Sequence, residues 1–436
     1  MTLTAILALA GCIALLVGIF GGGVKAKEVE VPLIPIGSRI TSSLVGLGLI
    51  VTAIWINFYT PPLPNSQSAT TQTSSSSTPS AAGMQTSTMA NTGVVGAPTV
   101  IQGSTGIAPD CTQTNIWCIG NVTDIGRVDD KSFNQSVWEG VQNARTDGYA
   151  DWIQYIETSD SSDYAKNVST FAEAGYKIIV TNGFNLADVT YVAAKKYPHT
   201  MFIGVDQFLS RDTNHPDWPL PNLVGIVYNE DQSGFMVGAL GERMSKTHKI
   251  GAVCATDGVP TVWRYGEGYR NGAAYEDKKT NSTTEVMVEY HSDVGFDKTF
   301  IDPTWGADTA NAIIDKGADV IFGCGGITGN GAVNAAAQRK VYVIGVDVDQ
   351  YYTLPDAAPW MLSSALKPET SPVTAMIKLI YTGKFPTGGL YFGASGYAPY
   401  HDLASKVPVD VDTEMQALFK GLMEGSIKTN VSPIKP

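Results

Sequence analysis

Residues whose types and spacing could do chemistry are concentrated in the stretch NVTDIGRVDDKSFNQSVWEG, residues 121–140. An apolar run from Ile116 to Val122 gives way to Thr123, Asp124 and Gly126, then to carboxylate, amide and aromatic side chains, then to a helical spacing at Val137, Val141 and Ala144. That order predicts a strand, a polar loop and the first turn of a helix. In a parallel α/β sheet such a loop lies at the carboxyl ends of the strands, where the new helix also offers unpaired N–H groups. Asp129, Asp130, Ser132, Phe133, Asn134 and Gln135 would line a cleft there, with hydrogen-bond partners and a ring for stacking. The same residues also suit a plain helix cap, with Asp130 or Ser132 capping and Phe133 in the core.

Further loops carry similar groups. The apolar run from Met201 ends on Asp206, either a cleft carboxylate or a cap on the next turn. After Cys254 comes DGVPTVWRYGEGYRNGA, whose Trp263 and Tyr265 could form the second wall of an aromatic sandwich facing Phe133, or fill the core. Gly323, Gly325, Gly326, Gly329 and Gly331 precede an expected helix over Ala332 to Gln338, and backbone without side chains can approach a ligand closely. Turn geometry alone is the plainer account of these glycines. Their spacing matches neither the dinucleotide fingerprint nor the phosphate-binding GxxxxGK[ST] loop. In GVDVDQ, Asp347 and Asp349 follow another apolar run, and a carboxylate can accept from two vicinal hydroxyls at once. No calcium-binding DxDxDG pattern, HExxH, GxSxG or metal-spaced Cys/His set is present, so no metal, cofactor or enzymatic activity is expected.

The elements that must position these groups alternate between β and α patterns. Strands are expected over Ile116 to Val122, Lys177 to Thr181, Met201 to Asp206, Leu223 to Tyr228, Ile250 to Cys254, Glu285 to Tyr290, Val320 to Cys324 and Val341 to Val346, with amphipathic stretches between. Residues 113–436 are too many for one doubly wound sheet. Two similar α/β lobes with parallel sheets, joined by crossover segments, are expected.

The 121–140 block closely resembles the signature of the basic membrane protein family of ABC-importer solute-binding proteins, and within it the purine nucleoside receptors. The likeness continues in order through AKKYP (194–198), NLVGIVYNEDQSGFMVGALGERMSKTHKIGAV (222–253), GCGGITGNG (323–331) and VIGVDVDQ (343–350). The resemblance implies the type I periplasmic-binding fold, with a purine nucleoside held between two lobes that close about a hinge, and with an ABC permease and ATPase as partners. It implies that Asp206 contacts ligand and that Asp347 clamps a ribose with help from Lys367, in SSALKPE. Asp349 is the alternative clamp should the register differ. Arg127 stands where relatives often have Gly, and Asn330 interrupts the glycines, so the ligand could differ from a plain nucleoside. A membrane-anchored receptor for another small solute or for signalling, and a hydrolase on this fold, are the competing readings.

The amino-terminal hundred residues differ in kind. Residues 3–20 and 40–58 are uncharged apolar runs, each about long enough to cross a ~30 Å hydrocarbon core, which makes residues 1–59 a two-span membrane anchor. Lys25, Lys27 and Arg39 between them place the connecting loop in the cytoplasm and everything after Phe58 outside the cell. Leu9 to Cys12 also spell a lipobox, but no basic residue precedes the run, which stays apolar past Cys12 to Phe20. Residues 60–112, rich in Ser, Thr, Pro, Gly and Ala, read as a disordered tether to the domain at 113–436. The net charge of −12 and the lack of any basic run leave no footprint for nucleic acid. Of five cysteines, Cys111 and Cys118 are spaced to close a small disulfide loop outside the cytoplasm, whereas Cys254 and Cys324 read as core thiols. Asn121, Asn134, Asn167, Asn281 and Asn430 begin N-x-S/T triplets that would suit glycans, Asn134 excepted because its site role requires a bare amide.

Overall fold

The computed structural model describes residues 101–436 apart from Thr387, together with β1 (Lys25–Ala26) and β2 (Val29–Glu30), which form a small antiparallel ladder. The two expected spans lie outside the described residues. No helix among the described residues is long and apolar enough to cross a membrane.

Lobe 1 begins with β3 (Ile101–Gly103), β4 (Cys118–Ile125), α1 (Phe133–Thr146), β5 (Trp152–Thr158), α2 (Tyr164–Glu173), β6 (Ile178–Asn182), α3 (Ala187–Lys196), β7 (Met201–Val205) and β8 (Leu223–Val227). The chain then builds lobe 2 from α4 (Glu230–Met244), β9 (Lys249–Cys254), α5 (Pro260–Thr280), β10 (Glu285–Tyr290), α6 (Phe296–Thr299), α7 (Pro303–Asp315), β11 (Val320–Cys324), α8 (Gly326–Gln338), β12 (Tyr342–Asp347), α9 (Gln350–Thr353) and β13 (Met361–Leu366). It returns to lobe 1 for α10 (Thr370–Tyr381) and β14 (Gly389–Phe392), and ends in lobe 2 with β15 (Gly396–Tyr397) and α11 (Val409–Met423).

The sheet of lobe 1 has the order β14-β8-β7-β6-β4-β5-β3, and that of lobe 2 the order β10-β9-β11-β12-β13-β15. Counting strands from β4 in one lobe and β9 in the other, the five inner parallel strands run 2-1-3-4-5 in both. This is a doubly wound topology whose strand order reverses between β4 and β6, and between β9 and β11. Strands β6, β8 and β11 are buried along their length and largely apolar, as a parallel sheet covered by helices on each side requires, whereas β10, at the edge of lobe 2, is only partly covered. Helix α1 buries Val137, Val141 and Ala144 on lobe 1, in agreement with their spacing. The strand WIQYIET (β5), absent from the expected set, pairs with β4, and β3 pairs antiparallel beyond it. Residues assigned from composition to the tether thus contribute an edge strand.

A disulfide joins Cys111 to Cys118, with Cα atoms 5.7 Å apart, and ties the entry of lobe 1 to its first central strand. Contrary to the expectation of core thiols, Cys254 and Cys324 are also joined. The register of β9 against β11 makes them direct neighbours, which their separation of 70 residues hid. Of the five triplet asparagines, Asn121, Asn134 and Asn167 are buried, whereas Asn281 and Asn430 are exposed.

Candidate functional site

The carboxyl ends of the two sheets face one another across a cavity. Asp124 to Gly126 at the end of β4, Gly183 to Asn185 after β6 and Asp206 after β7 line it from lobe 1, with Asp130, Phe133 and Asn134 at the start of α1. Lobe 2 contributes Val259, Thr261, Val262 and Tyr265 around the start of α5, Gly325 to Ile327 after β11, and Asp347, while Lys367 enters from the crossover after β13. The cavity therefore straddles both strand-order reversals, where open α/β sheets bind ligands.

Asp206 and Asp347 occupy equivalent positions, each at the end of the fourth strand of its lobe. Both have left-handed backbone, with φ of 60° and 64°. That conformation is costly for a residue with a Cβ and persists where surrounding contacts over-determine it. Here the contacts of both include one shared ammonium group. Lys367 Nζ donates to Asp206 Oδ2 at 2.6 Å and lies 3.6 Å from Asp347 Oδ1 and 3.7 Å from Glu369 Oε1, all of them buried. Burial works against its charge, but Asp206, Asp347, Glu369 and Glu230 together hold its pKa above the usual lysine value. The ammonium sits 4.6 Å from the ring centroid of Phe133, within cation–π range. Asp206 Oδ1 is buried and has no hydrogen-bond partner among the described residues.

The start of α1 is held by Asp130, whose carboxylate accepts from the N–H groups of Ser132 (2.9 Å), Asn134 (3.0 Å) and Gln135 (3.1 Å). Burial pushes its carboxyl up to about 6 against those donors. Capping and cleft lining are thus one role. From Asn134 a line of amides runs inward. Asn134 Nδ2 donates to Asp124 Oδ1 (3.1 Å), Asn182 Nδ2 to Asn134 Oδ1 (3.0 Å), and Asn121 Nδ2 to Asn182 Oδ1 (2.6 Å). Asp124, desolvated in the cavity wall, is pushed up to about 7. Glu230 is likewise raised by burial to about 7, although Arg264 donates to it from Nε at 2.8 Å.

The lobes meet around the loop Asp130–Ser132. Ser132 Oγ donates to Asp347 Oδ2 (2.6 Å), Asn330 Nδ2 to the Asp130 carbonyl (2.7 Å), and Gln350 Nε2 to the Lys131 carbonyl (3.0 Å), as does Thr353 Oγ1 (2.9 Å). Lys131 itself has a φ of 63°. The asparagine among the glycines is thus a closing contact between lobes.

Among the residues singled out from the sequence, Asp130, Phe133, Asn134, Asp206, Tyr265, Gly325, Gly326, Asp347 and Lys367 are brought together around the cavity. Three are not. Asp129 is exposed and pairs with Arg127 at 2.8 Å, because it falls on the outer side of the turn whose inner side is Asp130. Trp263 stacks on Tyr290 and donates from Nε1 to the Ser432 carbonyl, two residues around α5 from the cavity-facing Tyr265. Asp349 accepts from or pairs with His401 Nε2 at 2.7 Å, with the strand already ended at Asp347. The glycines are corrected too. Gly326, Gly329 and Gly331 lie inside α8, which starts well before Ala332. A Cβ on Gly331 would meet the Pro303 carbonyl oxygen at 2.2 Å, so that glycine admits α7 rather than a ligand. Phe184, Phe296, Phe300 and Ile301 also line the cavity, and none of them stands in a segment singled out from the sequence. Among the described residues no group of three or more His, Cys, Asp or Glu side chains is placed to hold a metal.

This fold and cleft define a two-lobed solute-binding protein. The model of the PnrA-like ABC transporter substrate-binding proteins matches residues 119–394, and the chain belongs to that family, whose members bind substrates and are not enzymes. It is 30% identical to the CD4+ T-cell-stimulating antigen of Listeria innocua, over 74% of this chain and 91% of that protein. It is also 30% identical to the ABC transporter nucleoside-binding protein BmpA of Lactococcus lactis, over 61% of this chain and 76% of that one. In fold it is similar to an ABC transporter solute-binding protein from Aeropyrum pernix, with a TM-score of 0.63 at 21% identity, over 72% of this chain and 92% of that structure.

Proposed function

We propose that the protein binds a neutral purine nucleoside between its lobes and delivers it to an ABC permease, from a domain held outside the cell membrane by two amino-terminal spans. The observation that carries this reading is the convergence of Asp206 and Asp347 on Lys367 beneath Phe133, with an unpartnered acceptor, Asp206 Oδ1, in the cavity wall. A nucleoside answers each group. Its base stacks on Phe133, its N–H edge reaches Asp124, Asn134 and Asp206, and its vicinal hydroxyls reach Asp347 and Lys367. The relative named as a nucleoside-binding protein supports the same ligand class. Asp124, Asp130, Asp206 and Asp347 line the cavity with a single lysine, so a phosphorylated ligand would bring like charges together at high cost.

Isothermal titration with inosine, guanosine, adenosine, a 2′-deoxynucleoside, a nucleoside 5′-monophosphate and a plain hexose tests the reading. Ribonucleosides should bind and the monophosphate should not. Binding of the hexose with no nucleoside bound would remove the nucleoside assignment and leave a receptor for another solute.

A further inference from the structure

Residues 291–302 supply Phe296, Phe300 and Ile301 to the cavity wall, although between β10 and α7 the segment contains only the single-turn helix α6. Its two ends are brought together by one side chain. His291, 2% exposed, has Nδ1 2.9 Å from Asp293 Oδ1 and Nε2 3.3 Å from Asp302 Oδ2. Its ring lies flat on Trp305, with centroids 4.1 Å apart and planes at 17°. A neutral imidazole has one N–H and one lone pair, so it can donate to one carboxylate only and turns a lone pair on the other. The doubly protonated ring donates to both, and a cation over an indole face is attracted as well.

The far end of the segment is fastened in turn to the cavity floor. Asp302 Oδ1 accepts from Trp305 N–H (2.9 Å), the Asp302 N–H donates to Thr328 Oγ1 (2.9 Å), and the Phe300 carbonyl accepts from Thr328 N–H (3.2 Å). Thr328 is in the first turn of α8, beside the cavity-lining Gly325 and Gly326. Asp293 and Asp302 are the charges that face the ring. The next pair, Asp257 with Lys435, is reached through Ser292, whose Oγ donates to Asp257 Oδ1 at 2.7 Å.

We propose that His291 is the positioning residue for the aromatic wall: a doubly protonated clasp that joins both ends of residues 291–302 and holds Phe296 and Phe300 against the ligand. The clasp is fastened while both ring nitrogens carry protons and loosens as rising pH removes one. Its effect on ligand affinity rests on the nucleoside reading above; the clasp itself does not.

Hydrogen exchange of the full chain without ligand, followed over peptides covering 292–301 between about pH 5 and about pH 9, reads the clasp directly. Rates are corrected for intrinsic base catalysis, with a β11 peptide as reference. The protection of this segment should fall by roughly tenfold or more as pH rises, the equivalent of one lost charge-assisted hydrogen bond. In His291→Gln it should be low and flat with pH. Asp293→Asn, at an exposed position, should lose part of the protection at acid pH, and it decides the matter alone should His291→Gln fail to fold. Inosine should bind His291→Gln about tenfold more weakly than wild type at about pH 6. Wild-type protection that is flat with pH, or a variant that keeps wild-type protection in acid, overturns the clasp. Failure of inosine to bind wild type, with the exchange result as expected, overturns only the nucleoside reading.

Discussion

Replacing Asp124 with Asn should stabilise the ligand-free protein by an amount that grows with pH. Asp124 opens on the cavity rather than on bulk water, and desolvation pushes its carboxyl from 3.8 to about 7, with only the Asn134 amide and the distant Lys367 opposing the shift. At ~1.36 kcal/mol per tenfold in proton affinity, holding the ionised form in the fold costs about 4 kcal/mol. The folded state keeps a proton that the unfolded chain has already released. Stability from this group is therefore full below about pH 4 and is lost as pH rises through about 7. Asn has nothing to lose, and it can still accept from Asn134. Asp130 and Glu230, raised by burial to about 6 and about 7, titrate in both proteins, so the difference between the two curves isolates Asp124. Urea unfolding at a series of pH values measures it. The curves should converge near pH 4 and separate by about 2–4 kcal/mol by pH 8. Curves that stay parallel from about pH 5 to about pH 8 would refute the assignment of a desolvated, proton-holding carboxyl in the cavity wall.

Other perturbations separate the remaining parts of the site. Asp347→Ala removes the acceptor shared by Ser132, Tyr265 and Lys367; it should weaken ribonucleosides by about 1–3 kcal/mol and a 2′-deoxynucleoside by less, as titration calorimetry can resolve. Gln350→Ala removes donors to both the Lys131 carbonyl and Asn330, and should shift the domain towards an open form with a larger radius of gyration by small-angle scattering. Protease added to intact cells should release the binding domain by cutting within residues 60–110, and protection until lysis would refute the proposed topology.

Much of the lobe architecture is legible in the chain because buried parallel strands read as short apolar runs and cleft loops as the polar residues that follow them. Asp206 and Asp347 are visible for that reason: each is the first charge after such a run. Asp129 and Asp349 misled for the same reason, since a neighbouring carboxylate one or two residues along points out of the turn, and only backbone geometry says which one faces in. The glycines of α8 look like loop, because close approach of α7 and a tight turn both call for glycine. Phe296 and Phe300 lack any local signal. Their place in the cavity follows from a segment tied across to α8, a contact between residues far apart in sequence. The second disulfide is of the same kind, set by strand register alone.

The threefold crossing between lobes has a consequence for how the protein comes into being. Lobe 1 cannot be completed from its first 127 described positions, 101–227, because α10 brings Val373, Met376, Ile377 and Ile380 into its core and β14 covers the edge of β8. Those residues emerge only after the inner strands of lobe 2 have been synthesised. A ribosome releasing this chain therefore presents a sheet with an open edge and an uncovered apolar face throughout the synthesis of the inner strands of lobe 2. A truncation at the second crossing should therefore yield an aggregating fragment rather than a folded lobe 1.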